Sequence, residues 1–230
     1  MCQKDVEIKY LCRYTRFSYL LDILRKREIT MVNYSNWKDK NDSHFLELYK
    51  KWIGAEDIFA LCFLQYKSPN KGAEKYHHWI TFASGTDGVC ILFEKKELIK
   101  QFKSRLGESL RCGQMKYRNV STCEKNARLH KLRGQDLPFI KRAAFSDERE
   151  YRFVCSCNGV NPVVVIPILL ESIARINFNP WIPIQLYKTK REEIRKIEGC
   201  RNIDIKRSTC LEYERWKECG ELIASSMGIS

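Results

Sequence analysis

The sequence predicts an α+β protein with a mixed, mostly antiparallel sheet and flanking helices, and three observations lead to this prediction. The chain has 230 residues, which suits one domain of generous size. Apolar residues make up 44% of the chain and aromatic residues 12%, which is enough for a core. Strand-like and helix-like segments interleave irregularly, without repeats or a clear linker. We therefore expect a single domain over residues 1–230, with a basic helical insertion around residues 95–145.

Short apolar or alternating runs, bounded by polar and turn-forming residues, predict the strands of this sheet. The run at residues 10–14 opens the series, and the runs at 58–65 and 88–93 have the strongest strand character. Further strands are expected at residues 28–34, 114–118, 151–155, 163–168 and 203–206.

Helical spacing and helix-end signals predict the helices between these strands. Thr15 is expected to cap a first helix, in which apolar residues from Phe17 to Leu24 recur at helical intervals. Capping-box sequences at 121–124 and 189–192 are expected to open two more helices. Other helices are expected at residues 43–53, 95–106 and 211–227.

The charge of the chain favours a polyanionic partner. Lys and Arg number 41 against 28 Asp and Glu, a formal net charge of +13. Residues 95–152 hold 16 basic and only 7 acidic side chains. Such a surplus attracts polyanions, of which nucleic acid is the commonest in cells, although a solvated basic surface or one covered by an acidic partner also fits. The candidate nucleic-acid contacts are Lys125, Arg128, Lys131 and Arg133.

Composition also restricts the cellular setting and the use of metal. No apolar run approaches the ~18 residues of a membrane span, and the N-terminus lacks a signal pattern, so we expect a cytoplasmic protein without membrane contact. The eleven cysteines are expected to be reduced and mostly structural. Paired zinc-ligand spacings are lacking, and we interpret His77 and His78 as lying on an extended segment, where adjacent side chains point apart. No metal is expected.

The segment from Ser146 to Phe153 concentrates charged residues at the start of a predicted strand. Glu148 and Glu150 are expected on one face of that strand, because side chains alternate with period two. Such a pair can bind a metal, act as general acid and base, or hold a sugar hydroxyl beside an oxocarbenium-like centre. Alternatively, Arg149 and Arg152 pair with these carboxylates on the surface.

The order of segments resembles a widespread bacterial and phage family of unknown function, and the resemblance covers about residues 10–210. It is carried by Tyr10-Leu11-Cys12-Arg13-Tyr14, Asn36-Trp37-Lys38-Asp39, Cys62-Phe63, His78 to Gly85, Gly88-Val89-Cys90-Ile91 and Glu148 to Arg152.

The same order is similar to the ADP-ribosyltransferase superfamily. One branch of that superfamily has an Arg on its first strand, then a Ser-Thr-Ser motif, then Glu-x-Glu. The corresponding positions here are Arg13, Ala83-Ser84-Gly85-Thr86 and Glu148-Arg149-Glu150, with Ser-Gly-Thr in place of Ser-Thr-Ser. The resemblance implies cleavage of NAD as a substrate without a metal, and it leaves room for a split sheet.

That resemblance also implies roles for individual residues. Glu150 would stabilise the charge on the ribose and Glu148 would orient or deprotonate the acceptor. Arg13 would bind the dinucleotide phosphates, and Trp79 or Phe82 would stack on the nicotinamide. The full set of implied NAD-binding residues is Arg13, Tyr14, Trp79, Phe82 and Ser84.

The function expected from this resemblance is that of a toxin or phage-defence effector that modifies RNA or DNA. A nucleic-acid acceptor and an acidic antitoxin protein are the expected partners. Two alternatives remain open at this stage. One is a non-catalytic module that binds nucleic acid or a protein partner. The other is a metal-dependent nuclease that uses Asp147, Glu148 and Glu150.

Overall fold

The computed structural model describes residues 8–67, 74–157 and 163–227 and confirms the α+β class. Its strands alternate irregularly with helices, as the sequence predicts. The strands are β1 (Tyr10–Arg16), β2 (Glu28–Asn33), β3 (Asp57–Tyr66), β4 (Gly88–Glu94), β5 (Leu110–Gln114), β6 (Lys116–Arg118), β7 (Ile140–Arg142), β8 (Glu150–Cys157), β9 (Val163–Pro167), β10 (Ile173–Phe178) and β11 (Ile205–Arg207).

The helices within the described residues range from two to four turns. None of them combines the length and the apolar character that crossing a membrane requires. They are α1 (Phe17–Lys26), α2 (Lys40–Ile53), α3 (Tyr76–Phe82), α4 (Lys95–Leu106), α5 (Val120–Arg128), α6 (Ile184–Arg195) and α7 (Glu214–Ser226). The division into one domain with a basic insertion stays a prediction.

One large sheet organises the chain, in the strand order β11-β10-β4-β1-β3-β2-β9, with β8 on β3 and β5 on β8. Its pairs are antiparallel except β10 with β11. A separate parallel pair joins β6 to β7. The predicted mixed, mostly antiparallel sheet is therefore confirmed.

The sheet is split along one edge of β3. Strand β8 occupies the other edge over residues 57–64. On the split edge, β3 pairs with β1 at residues 64–66 and with β2 only at residues 59–60. Strands β1 and β2 thus diverge from the same edge of β3, and a gap opens beside its residues 61–63.

The main core covers one face of the sheet. Helix α1 buries Leu20 and Leu24 at helical spacing, and α4 buries Phe102. These side chains pack with strand residues such as Phe63 and Phe153, whose ring centroids lie 5.5 Å apart. Ile194 of α6 joins the same cluster, so apolar area from three helices is buried against this face and stabilises the sheet.

The opposite face carries two separate apolar clusters. In the first, α3 packs Trp79 against Tyr14 of β1, with ring centroids 4.8 Å apart. In the second, α2 packs Leu46 and Tyr49 against β3 and β8. Cys62 shares this face and lies between the two clusters on β3, so the covering helices leave a cleft above the split.

Three predicted helix starts are wrong, and the set of predicted strands is incomplete. Pairing of β1 with β4 continues to Arg16, so α1 begins at Phe17 and Thr15 belongs to the strand. Helix α5 begins at Val120 and α6 at Ile184, so both predicted capping boxes lie inside helices. Strand β10 was not predicted, because polar residues interrupt its apolar residues.

A disulfide between Cys12 and Cys90 corrects the expectation that all cysteines are reduced. The two residues lie on the adjacent strands β1 and β4, where Cys12 pairs with Leu92 and Tyr14 pairs with Cys90. They are therefore diagonal neighbours on one face, with Cα atoms 6.4 Å apart. Seven other cysteines within the described residues are free thiols, namely Cys62, Cys112, Cys123, Cys155, Cys200, Cys210 and Cys219, and Cys2 lies outside those residues.

Candidate active site

A cleft of about 350 Å³ opens at the split of the sheet, and we call it the split cleft. Arg13 of β1 and Glu150, the first residue of β8, both line it. The two residues that the sequence places at the centre of the site are therefore brought together. The remaining lining residues are Val32, Trp37, Lys38, Asp39, Asp42, Ala60, Leu61, Cys62 and Lys141.

Arg13 is a half-buried cation without a partner. Within the described residues, its guanidinium forms neither an ion pair nor a hydrogen bond, and burial lowers its pKa. Removing a charge from water without compensation is costly, and a guanidinium is shaped to bind phosphate or carboxylate in a bidentate manner. The side chain therefore favours an anionic ligand in the split cleft.

Lys141 bridges the two glutamates of the Glu-x-Glu segment. Its Nζ lies 2.6 Å from Glu148 Oε2 and 3.2 Å from Glu150 Oε2. Burial opposes the ammonium form, but the charges of Glu150 and Glu148 outweigh it and raise the pKa of Lys141. Glu148 belongs to the 3-10 turn Ala143–Glu148 and not to the strand, so Lys141, rather than strand alternation, keeps the carboxylates together.

Burial also acts on Glu148. It raises the pKa of the Glu148 carboxyl, and the negative charge of Glu150 raises it further, although the bond to Lys141 opposes both effects. A carboxyl group with a raised pKa is better suited to accept a proton near neutral pH than a solvated one is.

Arg152 forms a buried ion pair under the site instead of the predicted surface salt bridge. The side chain is fully buried, with Nη1 2.8 Å from Asp42 Oδ1 and Nη2 2.5 Å from Asp42 Oδ2. Its Nη2 also lies 3.6 Å from Glu150 Oε2. The exposed Arg149 forms none of these contacts and has a left-handed backbone, with φ of 48°.

Hydrogen bonds hold the backbone of Glu150 from two sides. Its N–H donates to the Tyr117 hydroxyl at 2.8 Å. Its carbonyl oxygen accepts from the N–H of Met115 at 3.0 Å and from Nε2 of Gln65 at 3.3 Å. These bonds fix the backbone of Glu150 at the cleft wall. The contacts with Lys141 and Arg152 hold its carboxylate there.

The other predicted NAD-binding residues lie away from the split cleft. Trp79 is fully buried and Tyr14 is hydrogen-bonded to the hydroxyl of Tyr66 at 2.9 Å in the same apolar cluster. Phe82 and Ser84 are exposed at the end of α3 and just beyond it. The physical reason is that residues 76–82 form a helix, which turns Trp79 inward to cover the sheet.

Nine cleft residues were not singled out as site residues by the sequence alone, and four of these contact Arg152 or Glu150. They are Trp37, Asp42, Cys62 and Lys141. Trp37 provides the aromatic wall and stacks 5.0 Å from the Arg152 guanidinium. The signal that could have found it is its place in the Asn36-Trp37-Lys38-Asp39 segment of the family resemblance.

Two histidines connect α3 to the turn that precedes Glu148. Contrary to the sequence interpretation, both lie on a helix, and with Asp147 their ligand atoms fall within 4.8 Å of one another. His77 Nε2 lies 2.5 Å from Asp147 Oδ2, and His78 Nε2 lies 3.2 Å from the Asp147 carbonyl oxygen. Lys75 also donates to that oxygen, at 3.1 Å. These contacts fasten the turn to the helix.

Burial of His78 gives a testable pH dependence of stability. Burial and the nearby His77 lower the pKa of His78 from its ordinary 6.5 to about 4. Between these values the unfolded chain binds the extra proton, so the free energy of unfolding should fall as the pH drops from 6.5 to 4. The slope should reach at most about 1.4 kcal/mol per pH unit.

Urea unfolding at several pH values measures this slope. His78→Gln should remove most of it, whereas His77→Gln should retain most of it, because burial, the larger cause of the lowered pKa of His78, is unchanged. Equal slopes in the wild type and His78→Gln would show that another group controls the acid instability.

The predicted nucleic-acid contacts lie on an exposed basic surface. Lys125 and Arg128 are exposed on α5, and Lys131 and Arg133 are exposed just after it. Within the described part of the chain, none of the four forms an ion pair. Their charges are therefore available to phosphate groups, and their role stays a prediction.

Comparisons with known proteins show likeness over most of the chain. A family model described as a protein of unknown function (DUF2971) matches residues 78–153, about a third of the chain. No curated protein matches. Thermus sp. 2.9 DarT in complex with ADP-ribosylated ssDNA is similar at 12% identity and a TM-score of 0.46, covering 93% of this chain and 100% of that chain.

Two further solved structures of the same Thermus protein are similar. DarT in complex with NAD+ has 10% identity and a TM-score of 0.41, with 90% of this chain and 98% of that chain covered. DarT in complex with carba-NAD+ has 12% identity and a TM-score of 0.41, with 90% of this chain and 99% of that chain covered.

Proposed function

We propose that the chain is an ADP-ribosyltransferase that uses NAD as its substrate and modifies nucleic acid, acting as a toxin or phage-defence effector. The observation that carries the proposal is the split cleft, in which Arg13, which has no partner among the described residues, shares one cavity with the carboxylate of Glu150. A diphosphate would supply the anion that Arg13 lacks, and the attached ribose would lie within the same cavity as Glu150.

The proposed reaction exchanges one bond at the anomeric carbon of the ribose. The C–N bond to nicotinamide breaks, and nicotinamide leaves with the electron pair. Positive charge develops on the anomeric carbon, which the Glu150 carboxylate stabilises. An atom of the acceptor then donates an electron pair to that carbon, and Glu148 takes the proton that the acceptor loses.

The surrounding side chains support these roles. Lys141 and Arg152 hold the carboxylate of Glu150 at the cleft, because each places a cationic nitrogen within 3.6 Å of Oε2. Trp37, as the aromatic side chain of the cleft, takes the nicotinamide-stacking role that the resemblance assigned to Trp79 or Phe82. Tyr14 and Ser84 have no direct part in this proposal.

The nuclease alternative fits the same residues less well. A metal held by Glu148 and Glu150 would need the position between their carboxylates, where the Lys141 ammonium lies instead. A simple binding module does not account for a cavity shared by a buried carboxylate and an arginine that pairs with none of the described residues. Both features suit a transferase that binds a dinucleotide.

Release of nicotinamide from NAD tests the proposed function. Arg13→Met should lower the release rate by about 10-fold or more, chiefly through a higher KM, since it removes the phosphate contact. Arg16→Met is the matched control, because Arg16 ends the same strand but is exposed. Equal rates in both variants, or no release by the wild type, would reject the proposal.

The basic surface gives a second prediction, which concerns the acceptor. Reversing Lys125, Arg128 and Lys131 to Glu should abolish transfer to nucleic acid while slow NAD hydrolysis survives. Phosphate contacts release counterions, so the wild type should lose about 0.9 log units of affinity per log unit of salt for each duplex phosphate it neutralises, and the variant should have a smaller slope. If the variant loses transfer and hydrolysis to the same extent, or loses neither activity, the acceptor site does not lie on this surface.

A further inference from the structure

An apolar cavity of about 410 Å³ lies beside the split cleft and has no role in the proposed NAD site. Its walls come from the start of α2, from α5, from β6 and β7, and from the turn before Glu148. Phe45 and Phe145 line it with the inner side of α5, and its charged lining residues are three basic and three acidic side chains. It falls in the size range of small-ligand sites.

The apolar cavity and the split cleft share a wall. Asp39, Asp42 and Lys141 line both of them. The Lys141 ammonium lies 5.0 Å from the centre of the Phe145 ring on one side and 2.6 Å from Glu148 Oε2 on the other. A ligand stacked on Phe145 would therefore sit one side chain away from the proposed general base.

We propose that the apolar cavity binds an unpaired nucleobase of the acceptor strand. The inference rests on the proposed function and specifies its acceptor as single-stranded nucleic acid. A base has two apolar faces, which suit the two phenylalanine side chains and the apolar side of α5. A base inside a duplex is stacked and paired, so it could enter only after leaving the helix.

Charge around the apolar cavity suits the same ligand. Its lining is mixed in charge, with Arg118, Lys141 and Arg142 against Asp39, Asp42 and Glu124. The surplus of positive charge lies outside it, on the exposed Lys125 and Arg128 of the outer side of α5. A base in the apolar cavity therefore leaves its backbone phosphates near several cations. An uncharged apolar small molecule would gain nothing from this outer charge.

Fluorescence anisotropy with a short labelled oligonucleotide of mixed sequence tests the proposal without any need for NAD cleavage. The probe is used as single-stranded DNA, as single-stranded RNA and as the DNA duplex. Phe145→Ala and Phe45→Ala should each weaken binding of a single strand by about 5- to 100-fold. Their salt dependence should stay that of the wild type, because the phosphate contacts remain.

Tyr19→Ala is the matched control, since Tyr19 is an exposed aromatic residue on α1 outside both cavities, and it should bind like the wild type. Preference for RNA over DNA, or the reverse, identifies the natural strand. Wild-type affinity in both Phe variants, or equal weakening of single strand and duplex, would overturn the proposal.

Photo-crosslinking of the wild-type protein tests the proposal even if the Phe45 and Phe145 variants fail to fold. Photo-crosslinking with single-stranded DNA that contains 5-iodouracil should attach the base to the peptides that carry Phe45 or Phe145. Cross-links found only elsewhere would overturn the proposal even if NAD cleavage is observed. Conversely, cross-links at these residues without NAD cleavage would reject the transferase function and keep the base-binding cavity.

Discussion

Glu150→Gln should lower the rate of NAD cleavage by about 10²- to 10³-fold while the protein stays folded. The amide retains the size of the carboxylate but lacks the negative charge that stabilises the developing positive charge on the ribose. The backbone bonds of Glu150 to Tyr117, Met115 and Gln65 do not involve the side chain, so its position should be preserved.

Nicotinamide release measured with saturating NAD checks this loss, and far-ultraviolet circular dichroism confirms the fold. Glu97→Gln is the matched control, because Glu97 is exposed on α4 and should not affect the rate. If the protein is toxic to its host, cells should also tolerate Glu150→Gln at a higher level. An unchanged rate in folded Glu150→Gln would show that this carboxylate serves only its ion pairs.

Asp42→Asn should lower the free energy of unfolding by about 3–5 kcal/mol, since it leaves the guanidinium of Arg152 without its main counter-ion. Arg152 is fully buried, and both of its terminal nitrogens bond to Asp42. Glu150 lies too far from Nη2, at 3.6 Å, to replace the lost bidentate pair. Urea unfolding measures the loss.

Asp39→Asn provides the control for this substitution. Asp39 caps α2, accepting from the N–H groups of Asn41 and Asp42, and Asn is an equally good cap, so stability should change little. The double variant Asp42→Leu with Arg152→Met should cost less than the sum of the two single changes, because neither partner of the pair is left as an unpaired buried charge. Equal stability of Asp42→Asn and Asp39→Asn would contradict a buried ion pair.

Most of the fold followed from local sequence patterns. The strands at residues 58–65 and 88–93 and the helix at residues 95–106 were correctly predicted, because their apolar periods are strong. The segment around Trp79 was misread, because a helix of only seven residues is too short to show its period. The split of the sheet depends on where β1 and β2 leave β3, which no local pattern encodes.

The site could be predicted only in part, for a related reason. Arg13 and Glu150 were identified through motif order, and they share the cleft. Asp42 and Lys141 were missed because their importance comes from contacts that tertiary structure creates, such as the pairing of Asp42 with Arg152. Isolated charged residues in a sequence that is 30% charged give no such signal.

Transfer of label from NAD tests the central claim most directly. The protein is incubated with NAD that carries a radiolabelled adenylate phosphate, together with separate pools of single-stranded DNA, RNA and protein. We predict that label becomes attached to one of the nucleic acids and that nicotinamide is released in at least equal amount. The absence of both label transfer and nicotinamide release, from a folded protein with all three pools, would contradict the assignment of the split cleft as a transferase site.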